Sequence, residues 1–469
     1  MAMVLQAKIQ QRPRPFCLSV FGLAQARRAE FPERTILIRQ RYLAMNLFEE
    51  FKWRGMVSDV TPELPAVLES EKITAYIGFD PTAASLHVGS LLPVMCLARL
   101  QRFGHTPIAI AGGGTGLIGD PSGKTQERHL LTTEQVDQNL EGIKGQLSRF
   151  LDFNAQPNAA KIVNNAEWLV PINMMEFLRD VGKYFTVNYL LAKESVKRRL
   201  DTEDGMSFTE FSYSLLQAYD YLVLFDRHKC VLQMGGSDQW GNILAGIDLI
   251  RRLRGVKAHG LVFPLVTTSA GFKFGKTEAG AVWLDSKLTS PYRLYQFWIN
   301  TDDSDVVNYL KFFTWLSQEA IGELAESVRL EPHTRNAQRE LARQVTEMVH
   351  GETELAKAVR ASGVLFGKEI AGMSADDILD IFADVPSTEL DKARFADGGL
   401  SLNDLLVTCG IAPSKGEGRR LIQSGAIYVN NRRLADPRAA IALSDFVDGK
   451  ILVLRKGSKH YHAVKVFDA

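Results

Sequence analysis

Cysteine is scarce in this chain, and no apolar run approaches the length that a membrane-spanning helix needs. The 469 residues include four cysteines, which lie far apart and form no CxxC pair. This spacing argues against a disulfide framework and against a cysteine zinc site, and it fits a reducing compartment. A helix needs about 20 consecutive apolar residues to cross a bilayer. The sequence therefore predicts a soluble, cytoplasmic protein without a membrane segment.

An excess of charge of one sign is also absent from the chain as a whole. Lys and Arg exceed Asp and Glu by a single residue, so the overall charge gives no indication of a nucleic-acid partner. The balance is uneven along the chain, because residues 401–469 hold 11 Lys or Arg against 6 Asp or Glu. Basic charge is therefore concentrated at the C-terminal end.

The first 44 residues differ in composition from the rest. They hold eight Lys or Arg and two acidic residues, Glu30 and Glu33. A basic excess is typical of organelle transit peptides, but this stretch has no serine enrichment and no clear amphipathic repeat. We favour the alternative of an upstream start codon, with the natural start at Met45. Residues 1–44 are then an extension outside the folded protein.

Short β-prone runs alternate with helical patterns from about residue 71. Residues 73–79, 107–111 and 230–234 are apolar β-prone runs, and residues 91–100 and 134–150 have helical spacing. This alternation predicts a Rossmann-like α/β unit with a parallel sheet between helices. Glycines and polar residues follow each run, and ligands bind beyond the carboxyl ends of such strands. The sequence therefore places a binding site at that edge.

The strand pattern fades after about residue 290. Several helical runs follow to about residue 381, without a phosphate-binding loop or an acid/base cluster among them. A less regular stretch comes next and then short mixed elements. We therefore predict four parts after the extension: an α/β unit at 45–286, an all-helical unit at 287–384, a linker at 385–399 and a small α+β unit at 400–469.

The first segment suited to phosphate follows the first β-prone run. A proline turn leads into His87-Val88-Gly89-Ser90, and a helical pattern begins there. The N-terminus of a helix offers unpaired N–H groups, and glycine lets a nucleotide approach the backbone closely. Thr82 and His87 are donors for phosphate oxygens. Alone, the tetrapeptide favours the alternative of an ordinary surface histidine at a helix start.

A second segment has the composition of a mobile cationic loop, and we call it the lysine loop. It reads Gly271-Phe272-Lys273-Phe274-Gly275-Lys276-Thr277. Two lysines three residues apart could stabilise the charge that grows on a triphosphate in a transition state. Most loops rich in glycine and lysine are solvated turns, so this segment is weak evidence by itself.

Two glycine-rich turns complete the phosphate and ribose candidates. Gly119 and Gly123 leave three residues between them, where a Walker loop needs four, so we reject that motif. Lys124 and Arg128 remain candidate phosphate contacts. In the turn after the third β-prone run, Asp238 could accept hydrogen bonds from a ribose. The alternative for Asp238 is an Asx turn.

A helix with an unusual polar face begins at about residue 208. Ser207 and Glu210 form a capping-box pattern. Tyr213, Gln217 and Asp220 then fall at i, i+4 and i+7 on one face among apolar and aromatic neighbours. A hydroxyl, an amide and a carboxylate on one face predict the wall of a pocket for a small polar ligand. A solvated face is the simpler alternative, although it would more often carry Lys, Arg and Glu.

Taken together and in this order, the segments resemble class I aminoacyl-tRNA synthetases, and among them the bacterial-type tyrosyl-tRNA synthetases. The resemblance covers the chain from about Met45 to the C-terminus. It is carried by residues 76–90, 113–124, 164–168, 208–220, 235–243, 273–278 and 290–300. It implies an ATP-dependent enzyme that forms tyrosyl-adenylate and transfers tyrosine to the 3′ end of tRNA(Tyr). It also implies a homodimer, an anticodon-binding role for the helical unit and magnesium that arrives with ATP.

The resemblance implies roles for particular residues. Tyrosine would be bound by Tyr76, Asp80, Asp120, Asn165, Tyr213, Gln217, Asp220 and Gln239. ATP would be bound by Gly78, His87, Gly89, Ser90, Gly236, Asp238 and Lys276. Catalysis would depend on Thr82, His87, Lys124, Arg128, Lys273, Lys276 and Thr277. No general base is implied, since the substrate carboxylate is itself the nucleophile, and no protein-bound metal is implied, since magnesium would come with ATP. One departure is Ser90, where the family signature usually has histidine, so a nucleotide contact from this position is in doubt.

The basic C-terminal part resembles a second family, the small alpha-L type RNA-binding domains shared with a ribosomal protein and some pseudouridine synthases. The similar segments are 414–422 and 425–431. Lys415, Arg419 and Arg420 would then face RNA phosphates, and Arg251 and Arg252 would lie near the acceptor stem. The alternative for both groups is a solvated charged helix face.

Two other functions stay open from the sequence. One is a tryptophanyl-tRNA synthetase or another nucleotidyltransferase with the same phosphate signatures. Against it, Tyr76 and Asp220 suit a phenol better than an indole. The other is a non-catalytic RNA-binding relative, against which the intact lysine loop and Asp238 argue.

Overall fold

The computed structural model describes most of the chain from Met45 onward. The described residues are 45–122, 131–200, 205–269, 271, 274–277, 280–364, 367–370, 372–383, 385–396, 398–457 and 460–468. The N-terminal extension 1–44 and the candidate phosphate contacts Lys124, Arg128 and Lys273 lie outside them. For Lys276 and Thr277 the backbone alone is described.

A six-stranded sheet forms the centre of the first unit, in the order β1-β6-β5-β2-β3-β4. Its strands are β1 (Asp59–Val60), β2 (Thr74–Phe79), β3 (Thr106–Ala111), β4 (Lys161–Asn164), β5 (Cys230–Gly236) and β6 (His259–Phe263). Strands β2 to β6 run parallel, and β1 pairs antiparallel with β6 at the edge. The three predicted strands are confirmed. The chain moves outward from β2 through β3 to β4 and returns on the other side at β5, so the sheet has its switch point beside β2.

Helices cover the sheet, as the apolar spacing of the sequence predicts. They are α1 (Leu47–Trp53), α2 (Leu64–Ser70), α3 (Leu91–Arg102), α4 (Thr133–Leu147), α5 (Ala166–Leu169), α6 (Met174–Asp180), α7 (Val187–Leu191), α8 (Glu194–Leu200), α9 (Phe208–His228) and α10 (Trp240–Arg254). Helix α9 begins as predicted, with the Ser207 side chain accepting from Glu210 N at 3.2 Å. The Glu210 carboxylate is itself buried in an ion pair with Arg199, whose Nη2 lies 2.9 Å from Oε2.

The next unit is helical, as predicted. It contains α11 (Pro291–Ile299), α12 (Asp303–Phe313), α13 (Gln318–Leu330), α14 (Asn336–His350) and α15 (Glu352–Val364). The apolar faces of these helices pack on the core of the first unit. Trp298, Leu310 and Leu341 belong to the same buried cluster as the residues of that core. The two units therefore share one core.

Two buried arginines fix the helical unit against the first unit. Arg54 donates to the carbonyl of Leu316 at 2.9 Å, and Arg99 of α3 donates to that of Thr314 at 2.6 Å. These carbonyls follow the end of α12, where backbone acceptors lack partners within the helix. Glu50 lies 2.5 Å from Arg54 and balances the buried charge. Helix α3, which follows the first phosphate segment, is thereby held to α12.

The last unit is built on a five-stranded sheet in the order β12-β11-β14-β15-β9. Two short strands near the lysine loop, β7 (Lys276–Thr277) and β8 (Gly280–Ala281), precede it in the chain. The elements of the last unit are α16 (Ala375–Ile381), β9 (Ser387–Asp391), β10 (Leu400–Ser401), α17 (Leu402–Thr408), α18 (Lys415–Gln423), β11 (Ile427–Val429), β12 (Arg432–Arg433), β13 (Ala440–Ile441), β14 (Ile451–Lys456) and β15 (His460–Phe467). Of these, β10 and β13 pair with each other as a separate two-stranded sheet.

The predicted linker at 385–399 is wrong. Strand β9 lies within it and pairs parallel with β15, so this segment is an edge of the C-terminal sheet. The polar, irregular composition misled the prediction, because an edge strand with one exposed face carries little apolar signal. Helix α16, placed in the helical unit by the prediction, also packs on this sheet.

Candidate active site

A cavity of about 390 Å³ opens at the carboxyl ends of β2 and β5, beside the switch point of the sheet. Many of the residues singled out in the sequence line it together. They are Tyr76, Gly78, Asp80, Thr82, His87, Gly89, Ser90, Asp120, Tyr213, Gln217, Asp220, Gly236, Asp238 and Gln239. The prediction that the three strand ends and the polar face of α9 meet at one site is therefore correct.

Asp220 is the most buried carboxylate of the cavity, with 3% of its surface exposed. Its two oxygens accept hydrogen bonds from Trp168 Nε1 at 2.7 Å and Asn165 Nδ2 at 2.9 Å. Burial raises the pKa of Asp220 to about 7, although these two hydrogen bonds oppose the rise. The carboxylate is thus held in a fixed orientation with a third acceptor position left toward the cavity.

Tyr76 lies on β2 and lines the same cavity. Its hydroxyl is buried and has no hydrogen-bond partner among the described residues. Burial, and secondly the charge of Asp220, raise the pKa of Tyr76 well above its ordinary value, so the hydroxyl stays protonated. A buried polar group without a partner is costly, which indicates that a ligand supplies the partner.

A second set of hydrogen bonds holds Asp80 at the end of β2. Tyr213 of α9 donates to Asp80 Oδ2 at 3.0 Å, and Thr115 donates to Asp80 Oδ1 at 2.9 Å. Asn165 Nδ2 also reaches Thr115 Oγ1 at 3.0 Å, so the networks around Asp80 and Asp220 are joined. Asn165 itself is fully buried behind the lining of the cavity and supports Asp220 from there.

A third set surrounds Asp120. Gln239 Nε2 donates to Asp120 Oδ2 at 2.7 Å, and Gln217 Nε2 donates to Gln239 Oε1 at 3.2 Å. Asn242 Nδ2 then donates to Gln217 Oε1 at 3.2 Å. The chain of amides ends on one carboxylate, and this arrangement suits a cationic ligand group that the carboxylate and carbonyl oxygens can share.

The first phosphate segment forms the rim of the cavity. His87 precedes a single 3₁₀ turn, Val88–Ser90, which leads directly into α3. A Cβ added to Gly89 would lie 2.8 Å from His87 Cε1, so only glycine leaves the imidazole in place. The predicted helix start is therefore correct, with a tighter first turn.

The described end of the lysine loop, residues 274–277, lies against this rim. Gly275 has φ +82°, and a Cβ there would lie 2.8 Å from Val88 Cγ2 and 3.2 Å from Gly89 N. Val282 connects both segments, since its N–H donates to Gly275 O at 3.0 Å and its carbonyl accepts from Val88 N at 2.9 Å. The two segments that the sequence separates by almost 190 positions are thus in backbone contact.

The glycine turn after β5 places Asp238 on a short 3₁₀ helix, Ser237–Gln239. A Cβ on Gly236 would lie 2.7 Å from Asp238 Oδ1. Glycine at this position therefore keeps the Asp238 carboxylate close to the strand end, at the cavity edge, as predicted.

Sequence reasoning missed two residues that hold the site together. They are Trp168 and Thr115, and both lie within segments that carry the family resemblance without a predicted role of their own. Their signal would have been weak, since an indole N–H and a hydroxyl become informative only when their distant partners, Asp220 and Asp80, are known.

The predicted RNA-binding residues lie outside the cavity on exposed surfaces. Arg251 and Arg252 of α10 both pair with Asp248, at 2.5 Å and 2.6 Å. On or beside α18, Lys415 pairs with Asp404 at 2.6 Å and Arg420 with Glu417 at 3.4 Å. Exposed pairs of this kind contribute about 0–1 kcal/mol, so they yield readily to a polyanion.

Among the described residues, no group of three or more His, Cys, Asp or Glu side chains is arranged to hold a metal ion. Likewise, no helix in the described part of the chain is long and apolar enough to span a membrane.

Replacing Asp220 with asparagine is expected to change how stability depends on pH. The folded-state pKa of about 7 exceeds the unfolded value of roughly 3.9, so the folded protein keeps a proton that the unfolded chain releases between those values. The contribution of Asp220 to stability therefore falls as pH rises from about 4 to 7. The Tm of the Asp220→Asn variant, relative to that of the parent, should be higher at pH 8 than at pH 5. Thermal unfolding at both pH values measures this, and an equal difference at both would contradict it.

Two known protein families match this chain. The model of the class I tRNA synthetases (W and Y) matches residues 68–367, and the model of the tyrosine–tRNA ligase SYY-like C-terminal domain matches residues 377–464. The second match favours tyrosine over the tryptophan alternative.

The individual relatives are tyrosine–tRNA ligases as well. The tyrosine–tRNA ligase of Roseiflexus castenholzii is 59% identical over 420 residues, which are 90% of this chain and 99% of that protein. The enzyme of Geobacillus stearothermophilus is 51% identical over 424 residues, 90% of this chain and all of that protein. The solved structure of a C-terminally truncated mitochondrial tyrosyl-tRNA synthetase from Aspergillus nidulans superposes with a TM-score of 0.63 at 32% identity, covering 68% of this chain and 94% of that one. The chain therefore belongs to the class I tyrosyl-tRNA synthetases, the enzymes that use ATP to join tyrosine to its tRNA.

Proposed function

We propose that the phenol of tyrosine binds between Tyr76 and Asp220. The observation that carries this is the unpartnered, buried Tyr76 hydroxyl in the cavity that Asp220 also lines. A phenol hydroxyl both donates and accepts, so it can donate to the Asp220 carboxylate and accept from Tyr76. Phenylalanine would leave both groups unpaired, which is the physical basis of its rejection. Enzymes of this family are the standard illustration of that rule.

The ammonium group of the substrate then falls to Asp120, Tyr213 and Gln217. The carboxylate of Asp120 supplies the charge, and the Gln217–Gln239 amides orient it. Asp80 and Gln239 line the remaining walls, while Asn165 acts through Asp220.

ATP occupies the rim of the cavity as its magnesium complex. The residues assigned to it share glycine backbones or polar side chains at the strand ends: Gly78, His87, Gly89, Ser90, Gly236, Asp238 and Lys276. Asp238 would accept from the ribose hydroxyls, since it is the carboxylate at the end of β5. Magnesium is carried by the phosphates, in keeping with its preference for few protein ligands and several waters.

The chemistry needs positioning and charge stabilisation. The tyrosine carboxylate attacks the α-phosphorus, the bond to the bridging oxygen breaks, and pyrophosphate leaves with its negative charge. A ribose hydroxyl at the tRNA 3′ end then attacks the carbonyl carbon, the bond from that carbon to the phosphate oxygen breaks, and AMP leaves as the hydroxyl loses its proton to the departing phosphate or to water. Groups that stabilise the departing pyrophosphate are Thr82, His87, Lys124, Arg128, Lys273, Lys276 and Thr277.

Tyrosine-dependent exchange of pyrophosphate into ATP tests this first step. Exchange is measured with each of the standard amino acids. Tyrosine should support it, and the rate with any other amino acid should stay below about 1% of the rate with tyrosine. Exchange that depends on tryptophan, or none with tyrosine, would contradict the assignment of the cavity.

For tRNA we assign the helical unit to the anticodon region and residues 400–469 to an RNA-binding unit that presents Lys415, Arg419 and Arg420. Arg251 and Arg252 are assigned to the acceptor stem. The cytoplasm is the expected location of the reaction.

We assign the homodimer contact to an apolar surface on the first unit. Several large apolar side chains between residues 170 and 208 are exposed, with Phe208 at 72% and Met175 at 72%. They are Val170, Met174, Met175, Leu178, Val187, Tyr189, Leu191, Leu200 and Phe208. A concentration of this kind is unusual for a free surface and typical of an interface between copies.

Replacing Phe208 with aspartate is therefore expected to produce monomers. A charge buried at an isologous interface is present twice, and we expect the dimer Kd to rise by at least roughly 100-fold. Analytical ultracentrifugation measures this. Leu330→Asp, at a position 60% exposed in the helical unit, is the matched control and should remain dimeric. A Phe208→Asp variant that sediments as the parent does would contradict this assignment of the interface.

A further inference from the structure

The segment that resembles an RNA-binding domain ends in two asparagines whose side chains point to different units. Asn430 and Asn431 both have left-handed backbones, with φ 48° and 62°. The Asn430 amide serves its own unit, since Nδ2 donates to Asp445 O at 2.7 Å and Oδ1 accepts from Val453 N at 3.0 Å. Asn431 is 6% exposed, and its Nδ2 donates to Val364 O and to Lys368 O, both at 2.8 Å.

One acceptor, Val364, ends α15, and the other, Lys368, lies four residues beyond it. Val364 is the last residue of α15, and its carbonyl, which has no donor within the helix, accepts locally from Gly367 N at 3.0 Å. Tyr461 of β15 adds a third hydrogen bond, from its hydroxyl to Val364 O at 3.1 Å. The C-terminal unit therefore caps the last helix of the unit before it.

Apolar packing accompanies the cap. Ile451, Val453 and Ala463 on one face of the C-terminal sheet share a core with Val364 and Phe382. This packing excludes water and attaches the two units, but apolar contact is not directional. It does not by itself determine how the sheet is rotated on the helix end.

Close backbone contact supplies further direction. Gly367 has φ +88°, and a Cβ there would lie 3.2 Å from Arg455 Nη1. The Arg455 guanidinium in turn stacks on Tyr428 of β11 at 3.8 Å. The strand that carries Asn431 on its turn is thus held against the segment that follows α15.

We propose that Asn431 is a positioning residue for tRNA, which sets the orientation of the C-terminal unit on α15 and so the place at which α18 presents its cations. This rests on the proposed function of residues 400–469 as the RNA-binding unit. The two hydrogen bonds from Asn431 Nδ2 are directional, whereas apolar contact is not, so they favour one rotation of the sheet on the helix end, although Asn431 Oδ1 is buried without a partner among the described residues. A basic helix in a fixed place binds tRNA without the ordering cost of a loosely tethered unit.

Asn431→Gly is the direct test, because glycine keeps the left-handed backbone and removes the amide. Trypsin cleavage after Lys368, measured without tRNA and well below the unfolding temperature, should become roughly tenfold faster, since the Lys368 carbonyl loses its partner. Charging of tRNA should lose about tenfold in kcat/KM, mainly through KM for tRNA. Tyrosine-dependent pyrophosphate exchange should stay within twofold of the parent.

Asn430→Gly is the matched control. It removes an equal number of side-chain hydrogen bonds but all within the C-terminal unit, so it should lower the Tm of that unit and leave cleavage after Lys368 near the parental rate. Cleavage of the Asn431→Gly variant at the parental rate, or unchanged tRNA charging, would overturn the proposal. The variant with Lys415, Arg419 and Arg420 replaced by alanine separates the two assignments. If this triple variant charges tRNA normally, the RNA-binding role of residues 400–469 is wrong. The trypsin cleavage rate of Asn431→Gly still tests whether Asn431 holds the C-terminal unit on α15.

Discussion

Replacing Asp220 with alanine is expected to lower kcat/KM for tyrosine by about 10- to 150-fold. The variant loses a charge-assisted hydrogen bond to the substrate phenol, worth about 1.5–3 kcal/mol. It also leaves the buried donors of Asn165 and Trp168 without their acceptor, which lowers the stability of the fold by about 1–3 kcal/mol for each group that stays dry and affects both amino acids alike. Activation of phenylalanine should change far less, because that substrate has no hydroxyl to lose. The ratio of kcat/KM for tyrosine to that for phenylalanine therefore falls, because the value for tyrosine decreases.

Pyrophosphate exchange with both amino acids measures this effect. Asp226→Ala is a suitable control, since Asp226 lies on the same helix α9 in an exposed pair with Arg254 at 2.7 Å. That substitution should alter kcat/KM by less than about threefold. An Asp220→Ala variant with unchanged tyrosine kinetics would remove Asp220 from the binding site.

Replacing His87 with alanine is expected to lower kcat for tyrosine activation by about 100-fold or more, with little change in KM for tyrosine. The imidazole lines the rim of the cavity beside the lysine loop, away from the Tyr76–Asp220 end. A donor that meets charge as pyrophosphate departs contributes more to the transition state than to the bound substrates, so its loss appears in kcat. Removal of one such donor commonly costs about 3–4 kcal/mol.

Gly89→Ala provides an independent version of the same experiment. The added Cβ would lie 2.8 Å from His87 Cε1 and 2.9 Å from Nδ1, so the imidazole must move while remaining chemically intact. A kcat defect in the same direction is expected, with normal tyrosine KM. His333→Ala, on the helical unit, controls for loss of a histidine elsewhere. If kcat of His87→Ala falls by less than about threefold, His87 does not act on the phosphates.

Much of the first unit could be predicted because its signals are local. Apolar runs of strand length, helical spacing and glycines at strand ends are readable in any window of a dozen residues. Parallel strands bring their carboxyl ends to one edge, so the clustering of Asp80, Asp120 and Asp238 at the cavity follows from topology. The capping residue Ser207 also marked the start of α9 correctly.

The contacts that orient the site were beyond local patterns. The hydrogen bonds from Asn165 and Trp168 to Asp220 join residues more than 50 positions apart. Likewise, strand β9 exists only because β15 pairs with it, and the polar segment alone looked like a linker. Such features depend on which distant partner the fold supplies.

By itself, the sequence determined the alternation of strands and helices in the first unit, the edge at which ligands bind and the family to which the chain belongs, because each of these depends on short patterns and their succession. The tertiary structure alone decided that Asp220 is buried with two donors and a raised pKa, that Gly275 packs on Gly89, and that Asn431 faces the helical unit. The reason is physical: burial, close approach and hydrogen-bond partnership are properties of pairs of residues brought together by folding.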